Sequence, residues 1–282
     1  AKVTQAVSVF EDAVAFNQDL SSWNTAKFKS MRKIFQGATS FDSPLSWNVA
    51  QVTDVRFSFS DATAFNQPTI GTAWTTTKFK DMQGLFKGAS SFNQPISSWN
   101  TGLVTHMGSL FEAALTFDQD LSSWDVSRVV TLARAFYAAT AFNRALPRTT
   151  SRLTDLDYTF YSAEHFNGSV STFSTSLVTS LDSTFSHAHD FNQPLAAWDV
   201  SAVTRMSHTF NTATSFNQNI AGWDVSNVEL MNYMFYQAAD FNQDLSGWDV
   251  SSHIDPTYMF ARATSFNQPL DQRNVSVMAA TL

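Results

Sequence analysis

One pattern limits what this chain can become: F-x-x-A-x-x-F, written eleven times at intervals close to 25 residues. Its first phenylalanine is Phe10, Phe35, Phe59, Phe86, Phe111, Phe136, Phe160, Phe185, Phe210, Phe235 and Phe260. Its second falls six residues later, from Phe16 and Phe41 through to Phe241 and Phe266, and alanine always stands between them, as at Ala38 or Ala213. A unit this short cannot close a private core, so successive units must stack and bury identical columns against one another. The chain is therefore expected to be a single solenoid domain over 1–282. Its repeats are incomplete at both ends, and its section from about 142 to 177 is irregular.

Within a unit, Val203, Met206, Phe210 and Ala213 are spaced by 3, 4 and 3. That stripe predicts a helix of two to three turns. Trp198 and Val200 in W-D-V-S predict a short strand with both on one face. The expected architecture is an α/β repeat solenoid of about eleven units, each a short strand plus a short helix. Strands stacked at about 4.8 Å would make a ribbon on the order of 50 Å long. A pure β-helix is the rival, and M-x-x-x-F-x-x-A lacks the alternation by two it requires.

The remaining columns are candidate sites. Asn17, Asn93, Asn192, Asn217 and Asn242 follow the second phenylalanine, with Asp42 and Asp118 as exceptions. A short polar group required in every unit is expected to satisfy backbone groups exposed by a turn. The next residue, usually glutamine, varies to Ser43, Arg144 and Gly168 and is expected to be exposed, leaving Gln243, Asp244 and Asp249 available to a partner. The tryptophans, among them Trp23, Trp99, Trp198, Trp223 and Trp248, are expected to stack in the core beside Phe16, Phe92, Phe191, Phe216 and Phe241. Thr149, Phe173 and Arg273 interrupt that column. Asp125, Asp199, Asp224 and Asp249 would repel one another unless solvated or bridged by a cation, and calcium wants more oxygens than they offer. His187, His189 and His208 resemble a metal clip without a recurrent geometry. No metal or cofactor is assigned. Asn167 and Asn274 head glycosylation sequons.

Composition narrows the function further. The formal charge of −7 is divided unevenly, +3 over residues 1–152 and −10 over 153–282. An acidic half argues against nucleic-acid binding. No apolar run is long enough to span a membrane, and the absence of cysteine removes disulfides and thiolate chemistry. The opening AKVTQAV has neither an initiator methionine nor a leader, as expected of a processed or excised piece. Arg144, Arg148 and Arg152 cluster where the tryptophan column lapses, which predicts a basic contact patch for a partner.

The string L-S-x-W-D-V-S-x-V-T-x-M-x-x-x-F-x-x-A-x-x-F-N-Q resembles the 25-residue repeat of BspA-type leucine-rich-repeat surface proteins, and is similar to repeats in mycoplasma surface lipoproteins. That resemblance implies a leucine-rich-repeat-like solenoid at a cell surface or outside the cell, engaged in adhesion or protein contact, with no catalytic residues to transfer. The chain is expected to be non-enzymatic, with other proteins or surface glycans as partners. The alternative is a structural subunit, assembled end to end or laterally in a larger extracellular structure.

Overall fold

The computed structural model describes residues 3–147, 150–250 and 254–269. The expectations for Arg148, Thr149, Arg273 and Asn274 lie outside them. Eleven rungs, numbered here 1 to 11 from Phe10 to Phe260, stack in register. Single parallel β-bridges join them in order through Gln5, Ser30, Asp54, Asp81, His106, Thr131, Asp155, Ser180, Arg205, Leu230 and Asp255.

The helix expected in each unit is not there. In rung 9 the N–H groups of Met206, His208, Phe210 and Thr212 donate to carbonyls of rung 10, at Leu230, Asn232, Met234 and Tyr236, over 2.7–3.0 Å. Between them, Thr209, Asn211 and Ala213 donate three residues back, to Met206, His208 and Phe210. The segment is a run of linked turns, closed by left-handed residues such as His208 (φ 57°) and Thr212 (φ 59°). A turn closed over three residues spaces its inward side chains by three, as a helix does, so the stripe itself does not distinguish them. The difference lies in the bonds: a helix spends its N–H groups on itself, whereas the turns spend alternate ones on the next rung. The W-D-V-S segment is likewise extended without a bridge, and the inter-rung bridge falls five residues before the first phenylalanine. Among the described residues one helix is present, α1 (Thr69–Ala73), in the unit with a 27-residue spacing.

The core is a zigzag of phenylalanines. The two rings of a rung lie 3.8–4.2 Å apart. The first column repeats at 5.3–5.8 Å from rung to rung. Phe92, Phe191, Phe216 and Phe241 are fully buried, while Phe16 in the first rung is only partly covered. Trp99, Trp198, Trp223 and Trp248 are buried too, and each indole N–H donates to a carbonyl of the preceding rung at 3.0–3.1 Å. Trp23 stacks on Trp47 at 5.8 Å and remains 36% exposed.

The asparagine column is a continuous ladder. Each Asn or Asp Oδ1 accepts the backbone N–H of its counterpart in the next rung, over ten links of 2.8–3.0 Å from Asn17 to Asn267. Only an acceptor is needed, which is why Asp42 and Asp118 serve. The glutamines, expected to be exposed, are tied into the same ladder. Gln193, Gln218 and Gln243 donate from Nε2 to the preceding Asn Oδ1 at 2.8–2.9 Å. Asp244 accepts the N–H of Ser246, and Asp249 is engaged as well, so none of the three residues expected to be available is idle.

The irregular section passes through these ladders without a break. Bridges run Thr131–Asp155–Ser180, the rings of Phe136, Phe160 and Phe185 stack at 5.6 and 5.4 Å, and Asn143, Asn167 and Asn192 keep their bonds. What changes is the tryptophan column. Phe173 stacks on Trp198 at 6.3 Å, and an apolar cavity of about 20 Å³ lies among Leu121, Trp124, Leu146, Pro147, Thr150 and Phe173.

Candidate interaction face

With phenylalanine and alanine turned inward, the residues two before and one after the first phenylalanine line one outer face, part-exposed in most of rungs 6 to 11 and buried at Ser183 and Ser186 of rung 8. In rungs 6 to 11 these positions, with the one that follows, hold Arg134, Tyr137, Tyr158, Tyr161, His187, His208, Tyr233, Tyr236, Tyr258 and Arg262. All six tyrosines of the chain are among them.

The rings form two connected runs. Tyr137 stacks on Tyr161 at 4.7 Å, with the Arg134 guanidinium 4.4 Å from the Tyr137 ring and 5.5 Å from Tyr158. Tyr161 contacts Tyr158 at 5.8 Å and His187 at 5.4 Å. Further along, His208 stacks on Tyr233 at 4.8 Å, Tyr233 on Tyr258 at 4.9 Å, and Arg262 lies 5.7 Å from Tyr236. Five steps of 5.4–5.7 Å in the phenylalanine stack beneath make this strip about 28 Å long. Tyr137 on Tyr161, His208 on Tyr233 and Tyr233 on Tyr258 are the face-to-face pairs, and they stack along the solenoid. Tyr258, at the end of the run, is half exposed.

Burial lowers the imidazole pKa of His187, helped by the neighbouring His189 and His208, and burial lowers that of His208 as well. His208 Nδ1 lies 2.9 Å from Asn211 Nδ2 and accepts from it, the role of a neutral ring. Burial raises the Tyr161 phenol, with Tyr137 and Tyr158 adding to the effect. Below the strip, Arg205 pairs with Asp182 at 2.8 Å, while Asp182 Oδ1 is buried without a hydrogen-bond partner. Burial raises the Asp157 carboxyl, and the nearby Asp155 and Asp182 charges push the same way. The strip therefore offers tyrosine rings and hydroxyls flanked by the Arg134 and Arg262 guanidiniums.

Of the three arginines expected to form a basic patch, Arg144 and Arg152 are described. Arg144 takes the place of glutamine in the ladder, donating from Nε to Asp118 Oδ1 at 3.0 Å and from Nη2 to Oδ2 at 2.6 Å. Arg152 is exposed on a different edge, and Arg148 is outside the described residues. Asp125, Asp199 and Asp224 each bind the N–H two residues ahead, which holds their carboxyls below the usual range, the serine hydroxyls contributing most. Sequence reading missed the tyrosine strip because it looked for function where the consensus fails. The signal was present: six tyrosines confined to two columns of one half.

These features define a class, a tandem-repeat solenoid held by stacked aromatic and amide ladders. The family described as "Mycoplasma protein of unknown function, DUF285" matches residues 1–72, 69–149, 147–229 and 196–281, and the chain belongs to it. No curated protein matches the chain. Among solved structures it is similar to a chain in "Crystal structure of TLR13-ssRNA13 complex", with a TM-score of 0.21 and 8% identity, over 90% of this chain and 48% of that one. A score that low carries neither fold nor function across.

Proposed function

We propose that the chain is a non-enzymatic interaction module of a cell-surface or secreted protein, and that it binds another protein through the tyrosine strip. The observation that carries this reading is the confinement of all six tyrosines to one face of rungs 6–11. Tyrosine combines a rigid apolar ring with a hydroxyl, and is enriched where proteins recognise one another. The stacking favours a protein over a glycan, because a sugar ring docks on an aromatic face and Tyr137, Tyr161, Tyr233 and Tyr258 each turn a face to one another in stacked pairs. The BspA-type resemblance fits the same use. The recurrent Asn, Gln and Trp side chains are spent on holding rungs together, which leaves the variable columns to carry function. The test is a panel of immobilised extracellular-matrix proteins and glycans, probed with wild type and with Tyr161→Ala/Tyr233→Ala. A protein ligand lost by the double variant while it still melts cooperatively as a folded chain supports the reading; ligands confined to glycans, or binding indifferent to both tyrosines, refute it.

A further inference from the structure

A second edge of the solenoid carries information independent of the tyrosine strip. In rung after rung a turn follows the tryptophan column; in rung 9 it is closed by the Val203 N–H to Val200 at 2.9 Å. Val200 and Val203 point into the core, so Asp199, Ala202 and Thr204 face out. The equivalent positions change character along the chain. Rungs 2 to 7 present exposed Lys27, Lys29, Lys78, Lys80, Arg128 and Arg152, with Asp125 the acid among them. Rungs 9 to 11 present exposed Asp199, Asp224, Glu229 and Asp249 and no cation among the described residues. The turn tips on this edge are small residues such as Ala26, Gly102, Ser127, Ser151 and Ser201.

Those six cations form no ion pair among the described residues, unlike Lys33, Arg56, Lys87, Arg134, Arg144 and Arg205 in other columns, which close on acids of their own chain. Asp199 and Asp224 use Oδ1 on their own turns. Two large apolar side chains also stand on this edge in the same column: Leu103 in rung 5, 37% exposed, and Leu177 in rung 8, 52% exposed.

We propose that this edge pairs two copies of the chain antiparallel, with the rung numbers of facing rungs adding to 13. That register is set by the leucines, since rung 5 then meets rung 8 and each Leu103 meets the Leu177 of the second copy, on both sides of the two-fold axis. The same register brings Lys78 and Lys80 to Asp199, Lys27 and Lys29 to Asp249, and Arg152 to Asp125. The interface is self-complementary, as a two-fold contact must be, and opposite fields on its two halves select the antiparallel orientation.

Sedimentation of the whole chain tests it. Dimer affinity is expected to fall at least about tenfold between about 0.02 M and about 0.5 M salt, as screening shortens the reach of exposed charges. Lys27→Glu/Lys78→Glu/Lys80→Glu and, separately, Asp199→Lys/Asp224→Lys are each expected to be monomeric, and to form a heterodimer when mixed one to one. The chain has no cysteine, so Leu103→Cys/Leu177→Cys is expected to oxidise to a covalent dimer, and either single variant is not. A wild type that stays monomeric in low salt overturns the pairing, whether or not its basic rungs bind an anionic polymer instead. A charge-swapped mixture that does not associate also overturns it, and a dimer that the double cysteine variant does not cross-link overturns the register.

Discussion

Rungs 2–5 and rungs 6–11 turn the same columns to the same side of the molecule and fill them differently. In the first group they hold Lys33, Lys87 and Glu112 among uncharged residues such as Phe57, Gly84 and Ser109. Lys33 reaches Glu11 of rung 1 at 3.1 Å, and Glu112 sits between Lys87 and the Arg134 of rung 6 at 3.1 and 3.3 Å. In the second group the same positions carry tyrosine, histidine, serine and asparagine, with Arg134 and Arg262 at its two ends. Beneath both, the phenylalanine and asparagine ladders are the same. The contrast separates two tasks that the repeat imposes together: inward columns maintain the stack everywhere, while outward columns are free to differ from end to end.

The strongest way to break this comparison is to cut the core in each half. Phe86→Ala and Phe210→Ala each remove a fully buried ring and are expected to cost about 3–5 kcal/mol. Their urea midpoints should fall by similar amounts, and a much smaller loss in one half would show that the halves do not share one core. Next comes the ladder. Asn192→Leu removes the acceptor used by the N–H of Asn217 and by Gln218, and is expected to cost about 1–3 kcal/mol, the range for a stranded buried donor. Asn192→Asp keeps the acceptor and should cost clearly less.

Outward substitutions sharpen the contrast between the halves. Tyr161→Ala loses a stacked partner and is expected to cost about 0.5–1.5 kcal/mol, whereas Lys87→Ala takes one of two cations from the buried Glu112, leaves it paired with Arg134, and is expected to cost less. Thermal melts of the two variants compare them directly. The smallest effect concerns pH. His187 and His208 have lowered pKa values, so their neutral forms stabilise the fold above the ordinary histidine value of 6.5, and that contribution is lost as pH falls below it. Acidification from neutral is therefore expected to loosen rungs 8 and 9 first, measured by amide hydrogen exchange, and His187→Gln/His208→Gln should flatten that response.

Much of this was legible in the residues. A phenylalanine recurring with a fixed partner six places on cannot be buried except against its copies, so Phe216 on Phe241 follows from spacing alone. The asparagine ladder was legible too, because a short polar side chain required in every unit has to serve the backbone. The glutamine column was misread: variation at Ser43, Arg144 and Gly168 suggested exposure. In fact Gln243 ties to Asn217, and Arg144 makes the same reach to Asp118 with a longer, charged arm. The helix failed for another reason. Val203, Met206, Phe210 and Ala213 suit either a helix or linked turns, and nothing local to the unit chooses between them.

The sequence by itself therefore determined that the chain stacks, how often, and which side chains lie in the stack. Those follow from hydrophobic burial, which depends on composition and spacing and not on the path of the backbone. Only the tertiary structure decided that path, and with it the direction of every other side chain. The choice was made by hydrogen bonds between rungs, in which the N–H of Phe210 reaches Met234 and not a carbonyl four residues behind it. A bond to a residue 24 positions away has no signature within a single repeat. The tyrosine strip and the charged edge exist because that path turns their columns outward.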